Sequence, residues 1–238
     1  MSAINVIDGF VNVQPHTEDM DSHEYLQGEA KKEAIRAQQR YAIEHLEEVR
    51  KWFPEAVIAG GAARDWYMGR LCRDVDIIIP GISDPILMST VLKNSFKEYS
   101  PVGRDYYEMK GILSVVSKPK GSSHFQPEIQ LVFWSNPYIH SIIGGFPSPL
   151  SKAFVVCNTN PTAPTAYISV DSEFILAYKH KVHWQSNEMN GHKQDYIKKI
   201  CDKFPDYKFF PTKELALEHV VGVSGGLLAI HPFGDESK

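Results

Sequence analysis

Hydrophobic and polar positions recur along this chain with two periods, and the switches between them mark its elements. From Gly28 to about Trp52, helix-forming residues carry Ile35, Ala42, Leu46 and Val49 at helical spacing, with Pro54 just beyond, which predicts a helix. Val57, Ile58 and Ala59 predict a short strand, Gly60-Gly61 a turn, and Ala62 to Met68 a short helix stopped by Gly69. "VDIIIP" reads as a second strand closed by Pro80 and Gly81. The stretch "DPILMSTVLKNSFKEY" reads as a helix with Asp84 as N-cap and Pro85 at its first position.

Further on, "YYEMKGILSVVSKP" and "PEIQLVFW" predict two or three neighbouring strands around a turn at "KGSSH". "NPYIHSIIGGFPSPLSKAFVV" and "AYISV" predict loop, a short helix and two more strands. "SEFILAYKHKVHW" predicts a helix or apolar turn, and "HKQDYIKKICDKFPDY" and "TKELALEHVVG" predict helices. The expected organisation is an irregular arm over 1–27, an α/β (α+β) core over 28–170 built on a mixed, twisted sheet flanked by helices, and a small C-terminal helical subdomain and tail over 171–238.

A length of 238 residues with 43% hydrophobic content supports a real core. The net charge of −4 offers no broad basic surface, so long-duplex DNA binding is not expected. Cys72, Cys157 and Cys201 are odd in number and lack metal or redox spacing, and no leader or membrane span is evident. These features predict a soluble cytoplasmic protein without membrane partners.

Candidate chemistry lies in "VIAGGAARDWYMGRLCRDVDIIIPG". Residues two apart on a strand share a face at about 6.6 Å, so Asp74 and Asp76 present two like charges together. A divalent cation would make them compatible, since Mg²⁺ prefers oxygen ligands and leaves positions for water and phosphate. A third carboxylate would complete a site for two ions supporting in-line phosphoryl displacement. Glu128, opening "EIQLVFW", is the leading candidate, with Glu108 and Asp105 as rivals. Gly60 and Gly61 would let a triphosphate approach the backbone, and Arg64 and Arg73 would contact phosphate. Plainer readings stand beside these: a packing turn for the glycines, and for Arg64 a salt bridge to Asp65 or Asp74 pinning the helix to the strand.

The segment "GGAARDWYMGRLCRDVDI" resembles the active-site signature of the DNA polymerase β-like nucleotidyltransferase superfamily, and within it the head of tRNA CCA-adding enzymes and bacterial poly(A) polymerases. Gly60, Gly61, Arg64, Asp65, Gly69, Arg70, Asp74 and Asp76 match the pattern position by position. The resemblance implies a nucleotidyltransferase fold, an NTP substrate held at the glycines, and Mg²⁺ (a pair of ions, with Mn²⁺ as an alternative) held by Asp74 and Asp76, with a later acid, Glu128, completing the metal site or activating the acceptor hydroxyl as base. The chain has no Arg-Arg-Asp motif after the third acid and no Glu-Asp-x-x-Arg block of the base-selecting kind. It is also similar, more loosely, to small stand-alone nucleotidyltransferase-like proteins of tailed bacteriophages.

The function expected from this resemblance is Mg²⁺-dependent transfer of NMP from an NTP to an acceptor hydroxyl, with pyrophosphate released. The acceptor is an RNA 3′ end, a protein or a small molecule. The alternatives are an inactive nucleotide-binding or protein-interaction module of the same fold, or an antitoxin-like partner that modifies a protein. His180, His183, His192 and Cys201 have a spacing conceivable for zinc, against ordinary histidines. Trp66, Tyr67, Tyr106, Tyr107, Phe133 and Trp134 are core aromatics or base-stacking candidates.

Overall fold

The computed structural model describes residues 6–7, 10–11, 27–102, 111–119, 125–158, 165–185 and 191–223. Near the amino terminus, where an irregular arm is expected, a short antiparallel hairpin joins β1 (Val6–Ile7) to β2 (Phe10–Val11). Helix α1 (Gly28–Arg50) follows and buries the stripe Ala34, Ile35, Gln38, Ala42, Leu46 and Val49, the three-and-four spacing of one helix face.

The chain then lays down β3 (Val57–Ala59), α2 (Gly61–Tyr67), β4 (Asp74–Ile79), α3 (Pro85–Ser95), β5 (Ser100–Pro101), β6 (Ile112–Lys118) and β7 (Glu128–Trp134). Next come α4 (Ile139–Gly144), a 3-10 turn over Pro149–Ser151, β8 (Ala153–Asn158) and β9 (Thr165–Val170). Seven strands form one mixed sheet in the order β5-β6-β7-β4-β3-β8-β9. β4 and β7 are parallel, and the other neighbours are antiparallel. Asp84 caps α3 as its sequence implies, accepting from Ile86 N at 2.8 Å.

The two faces of the sheet are covered unequally. Val75, Ile77 and Ile79 of β4 and Ile129, Leu131 and Phe133 of β7 join a large cluster with Ile35, Leu46 and Val49 of α1 and Trp66 of α2. On the opposite face Ile78, Val132 and Trp134 meet Ile142, Ile143 and Phe146 from α4 and the residues just after it. That second cluster covers only one end of the strands, and the residues preceding Ile78 and Val132 on the same face are Asp74, Asp76, Glu128 and Gln130.

The C-terminal part comprises α5 (Ser172–His180), β10 (Val182–Trp184), α6 (Gly191–Lys203), β11 (Lys208–Phe210) and α7 (Lys213–Val223). It is not wholly helical, because β10 and β11 pair in parallel. Phe174, Ala177, Trp184, Ile200, Phe204, Ala216 and Val220 belong to the same large cluster as the sheet. Asp171 caps α5 by accepting from Glu173 N at 2.8 Å. No helix among the described residues is long and apolar enough to cross a membrane.

Candidate active site

The double glycine bends the chain from β3 into α2. Gly60 has φ 76° and ψ −128°, a conformation that side chains disfavour. Its N–H donates to Ala153 O at 2.8 Å, and its carbonyl accepts from Arg64 N at 3.0 Å, so one residue both joins β8 and begins the helix. The Gly60 N–H is thus committed to the sheet. The other end of α2 closes in a Schellman motif: Gly69, at φ 73°, donates to Trp66 O, and Arg70 N donates to Asp65 O at 2.7 Å.

The linker after α2 is fixed from below by Gln38 of α1. Its Nε2 donates to Cys72 O at 2.9 Å, and its Oε1 accepts from Cys72 N at 3.0 Å. These bonds account for a glutamine on a buried helix face and set where β4 starts.

β4 and β7 bring the carboxylates together. In the parallel register Asp74 lies beside Glu128 and Asp76 beside Gln130, and the two-residue alternation sends all four side chains to the sheet's partly uncovered face. Asp76 carries the electrostatic consequence. Burial, with the charges of Asp74 and Glu128, pushes its carboxyl up to about 7, and Arg64 only partly opposes this. Asp74 Oδ2 accepts from Arg73 Nε at 3.1 Å and from an Arg73 terminal nitrogen at 2.9 Å, while Glu128 Oε1 accepts from Gln130 Nε2 at 3.1 Å.

With those side chains so turned, no three acidic, histidine or cysteine groups among the described residues stand close enough to hold a metal ion. The donor chemistry still fits a hard divalent cation: three carboxylates in adjacent register, one of them burdened by the charge of the other two. Gathering them requires Asp74 to leave Arg73. That pair is weak, because the Arg73 side chain is 87% exposed. Arg73 thus sits on Asp74 itself. Glu108 and Asp105, the rival third acids, lie outside the described residues.

Arg64 is buried and paired with Asp65, its neighbour within α2. Its side chain is 6% exposed, and Nε donates to Asp65 Oδ1 at 2.8 Å. Burial works against its charge, but Asp65 and the Tyr196 hydroxyl, which accepts from it, raise its pKa overall. Asp65 also takes Lys203 Nζ at 2.7 Å on its other oxygen. Burial alone would raise this carboxyl, and Arg64 and Lys203 together hold it below the ordinary range.

Sequence reasoning missed the residues that pack beneath Arg64 and Asp65. Tyr196 of α6 bonds to Ser151 Oγ and, with Arg64, lies within electrostatic reach of Asp76. Arg70 donates to Lys203 O and stacks over Phe204. Only the run of aromatic and basic residues in "DYIKKICDKF" could have hinted at them.

The remaining candidates separate. His183 is fully buried with Nε2 at 3.7 Å from Cys201 Sγ, whereas His180 is exposed at the end of α5. The side chain of His192 lies outside the described residues. Trp66 and Phe133 are fully buried, and Tyr67 packs edge-on against Phe174 and Tyr178, so these three serve the core rather than a base. Trp134 belongs to the cluster under α4. Tyr106 and Tyr107 lie outside the described residues. A shallow cavity lined by Trp52, Pro54, Pro80, Ile82 and Met88 opens at the other end of β4, away from the carboxylates.

The fold is α/β, a mixed sheet flanked by helices, and it is similar to that of nucleotidyltransferase structures. One is the Thermotoga maritima CCA-adding enzyme complexed with tRNA-CCA, at 15% identity and TM-score 0.48 over 81% of this chain and 45% of that one. Another is a CCA-adding enzyme with CTP, at 13% identity and TM-score 0.46 over 81% and 46%. A third is a tRNA nucleotidyltransferase complexed with a primer tRNA and an incoming ATP analog, at 12% identity and TM-score 0.46 over 75% and 50%. The chain spans about half the length of these structures. No protein-family model matches the chain, and no curated protein matches it.

Proposed function

We infer that this protein is a Mg²⁺-dependent nucleotidyltransferase that moves NMP from an NTP to an acceptor hydroxyl and releases pyrophosphate. The observation that carries the reading is the row of half-buried Asp74, Asp76 and Glu128 on one sheet face, with Asp76 pushed up to about 7 by burial and its two neighbours. A fold keeps such mutual repulsion cheaply only where a cation relieves it. Mg²⁺, or Mn²⁺ in its place, would supply Lewis-acid stabilisation of the oxygens at the transferring phosphorus.

In this reading Asp74, Asp76 and Glu128 hold a pair of ions. Asp74 exchanges Arg73 for the cation, and Arg73, released and exposed, becomes available to a phosphate. Gly60 and Gly61 leave room for the triphosphate beside α2. Arg64, locked by Asp65 and Tyr196, keeps a fixed positive charge beneath Asp76 rather than reaching the nucleotide. The acceptor is an RNA 3′ end, a protein or a small molecule.

The test is incubation of the full chain with each labelled NTP, Mg²⁺ and total RNA, protein or small-molecule extracts. Wild type is expected to label an acceptor, and Asp76→Asn to lower transfer by at least about 100-fold, the scale on which removing charge stabilisation acts. Binding of Mg²⁺ and NTP with no transfer to any acceptor would instead support an inactive binding module.

A further inference from the structure

The acidic row continues along β7 into a residue with no assigned role. Gln130 is the register partner of Asp76, lies on the same side of its strand as Glu128, and is only 5% exposed. Its Nε2 donates to Glu128 Oε1 at 3.1 Å, and this fixes the amide orientation, since the reverse would set an amide oxygen against a carboxylate oxygen. The other end, Oε1, is buried and meets no donor among the described residues. Ser117, its neighbour across the pair with β6, does not supply one. An acceptor left in that state costs free energy until a donor arrives.

The chemistry of the surroundings limits what that donor is. Among the described residues, Asp74, Asp76 and Glu128 share this stretch of the sheet face with the Gln130 amide oxygen, and the cations near them are already engaged, Arg73 with Asp74 and Arg64 with Asp65. A bare phosphate or carboxylate would be repelled. A hydrated divalent cation suits the three carboxylates and the amide oxygen together, because the carboxylates, with the Asp76 proton displaced, take the ion while its retained waters donate outward. We propose that Gln130 is a positioning residue for the cation of this pocket: its Oε1 accepts from a water on the bound ion while its Nε2 keeps Glu128 turned as it stands. This rests on the cation-dependent reading given above.

The experiment titrates the full chain with Mn²⁺ in the absence of nucleotide, following the electron paramagnetic resonance signal of the free ion, and records metal-free melting in parallel. Gln130→Leu is expected to bind Mn²⁺ roughly 10- to 100-fold more weakly than wild type. Its metal-free Tm should be unchanged or higher, since the orphaned acceptor is gone. Gln130→Glu, which keeps an acceptor of the same reach, is expected to bind at least as tightly as wild type, and it decides the matter should the leucine variant not fold.

Wild-type affinity in Gln130→Leu, or a loss in Gln130→Glu like that expected of leucine, overturns the inference. Wild type that binds no Mn²⁺, or Asp76→Asn that binds as wild type does, overturns the underlying cation reading, and this one falls with it.

Discussion

Gly60 and Gly61 stand side by side in the sequence and answer to different constraints. A Cβ on Gly60 would meet Phe146 Cε2 at 3.6 Å, ordinary contact, so space does not demand glycine there. The backbone does, because φ 76° with ψ −128° lies where side-chain-bearing residues are strained by about 1–3 kcal/mol. Gly61 opens α2, and a Cβ there would stand 3.7 Å from Arg64 Nη2 with no unusual dihedral to satisfy. Gly60→Ala is therefore expected to lower Tm by several degrees, at roughly 2–4 °C per kcal/mol for a chain of this size. Gly61→Ala should stay within about 1 kcal/mol of wild type. Thermal melting compares the two. If Gly61→Ala leaves Tm intact but weakens NTP binding, clearance for a ligand is its role; equal loss of Tm in both variants would contradict the distinction.

Helix α6 shows how elements far apart in sequence complete the site. Lys203 reaches Asp65 across 138 positions, and its carbonyl takes Arg70. Tyr196 on the same helix meets Arg64 and Ser151. Lys203→Met is expected to cost about 1–3 kcal/mol, because Asp65, 3% exposed, loses one of two cationic partners. In a double-mutant cycle with Asp65→Asn the two losses should fall short of their sum by at least about 1 kcal/mol, measured by urea unfolding. Additivity would mean that the contact carries no weight.

No pattern near Asp65 or Lys203 announces this pairing, since periodicity reports which face is buried and not which side chain waits opposite. The same limit separates what was legible from what was not. The stripe through Ile35, Leu46 and Val49, the alternation in "EIQLVFW" and the Asp84 cap each carry a repeat or stop signal, and α1, β7 and α3 follow them. β10 and β11 are three residues each, too short for a period, and their parallel pairing depends on α6 lying between them. Within the site, the shared face of Asp74 and Asp76 followed from spacing. The burial of Arg64 against Asp65 and the orphaned oxygen of Gln130 depend on neighbours that only the folded sheet supplies.

Across the whole molecule two buried groups act on stability with opposite sign in one pH window. Asp76, raised to about 7, keeps its proton in the fold where the unfolded chain, at about 4, has lost it. Between those values folding takes up a proton, so this group adds stability as pH falls and withdraws it as pH rises. His183, fully buried with Nδ1 lacking a partner among the described residues, is pushed down to about 4 by burial. The unfolded chain binds that proton from about pH 6.5 downward, so this group removes stability as pH falls. Asp65 and Glu173 resist burial through their cationic partners, which hold both below the ordinary carboxyl range, so their protonation belongs to lower pH.

Between about pH 4.5 and 7, with chelator present, the wild-type Tm should therefore vary little, each contribution being of order 2–3 kcal/mol and opposite in sign. Asp76→Asn leaves His183 unopposed, and its Tm should fall steadily on acidification while lying above wild type near pH 7. His183→Leu leaves Asp76 unopposed, and its Tm should climb over the same interval. Differential scanning calorimetry of wild type, both single variants and the double variant at half-unit steps reads the slopes directly. Opposite slopes in the single variants, with a flat double variant, would tie the raised Asp76 carboxyl to its place beside Asp74 and Glu128. Equal slopes in all four proteins would show that Asp76 is not held up by its neighbours, and the electrostatic case for a cation on this sheet face would go with it.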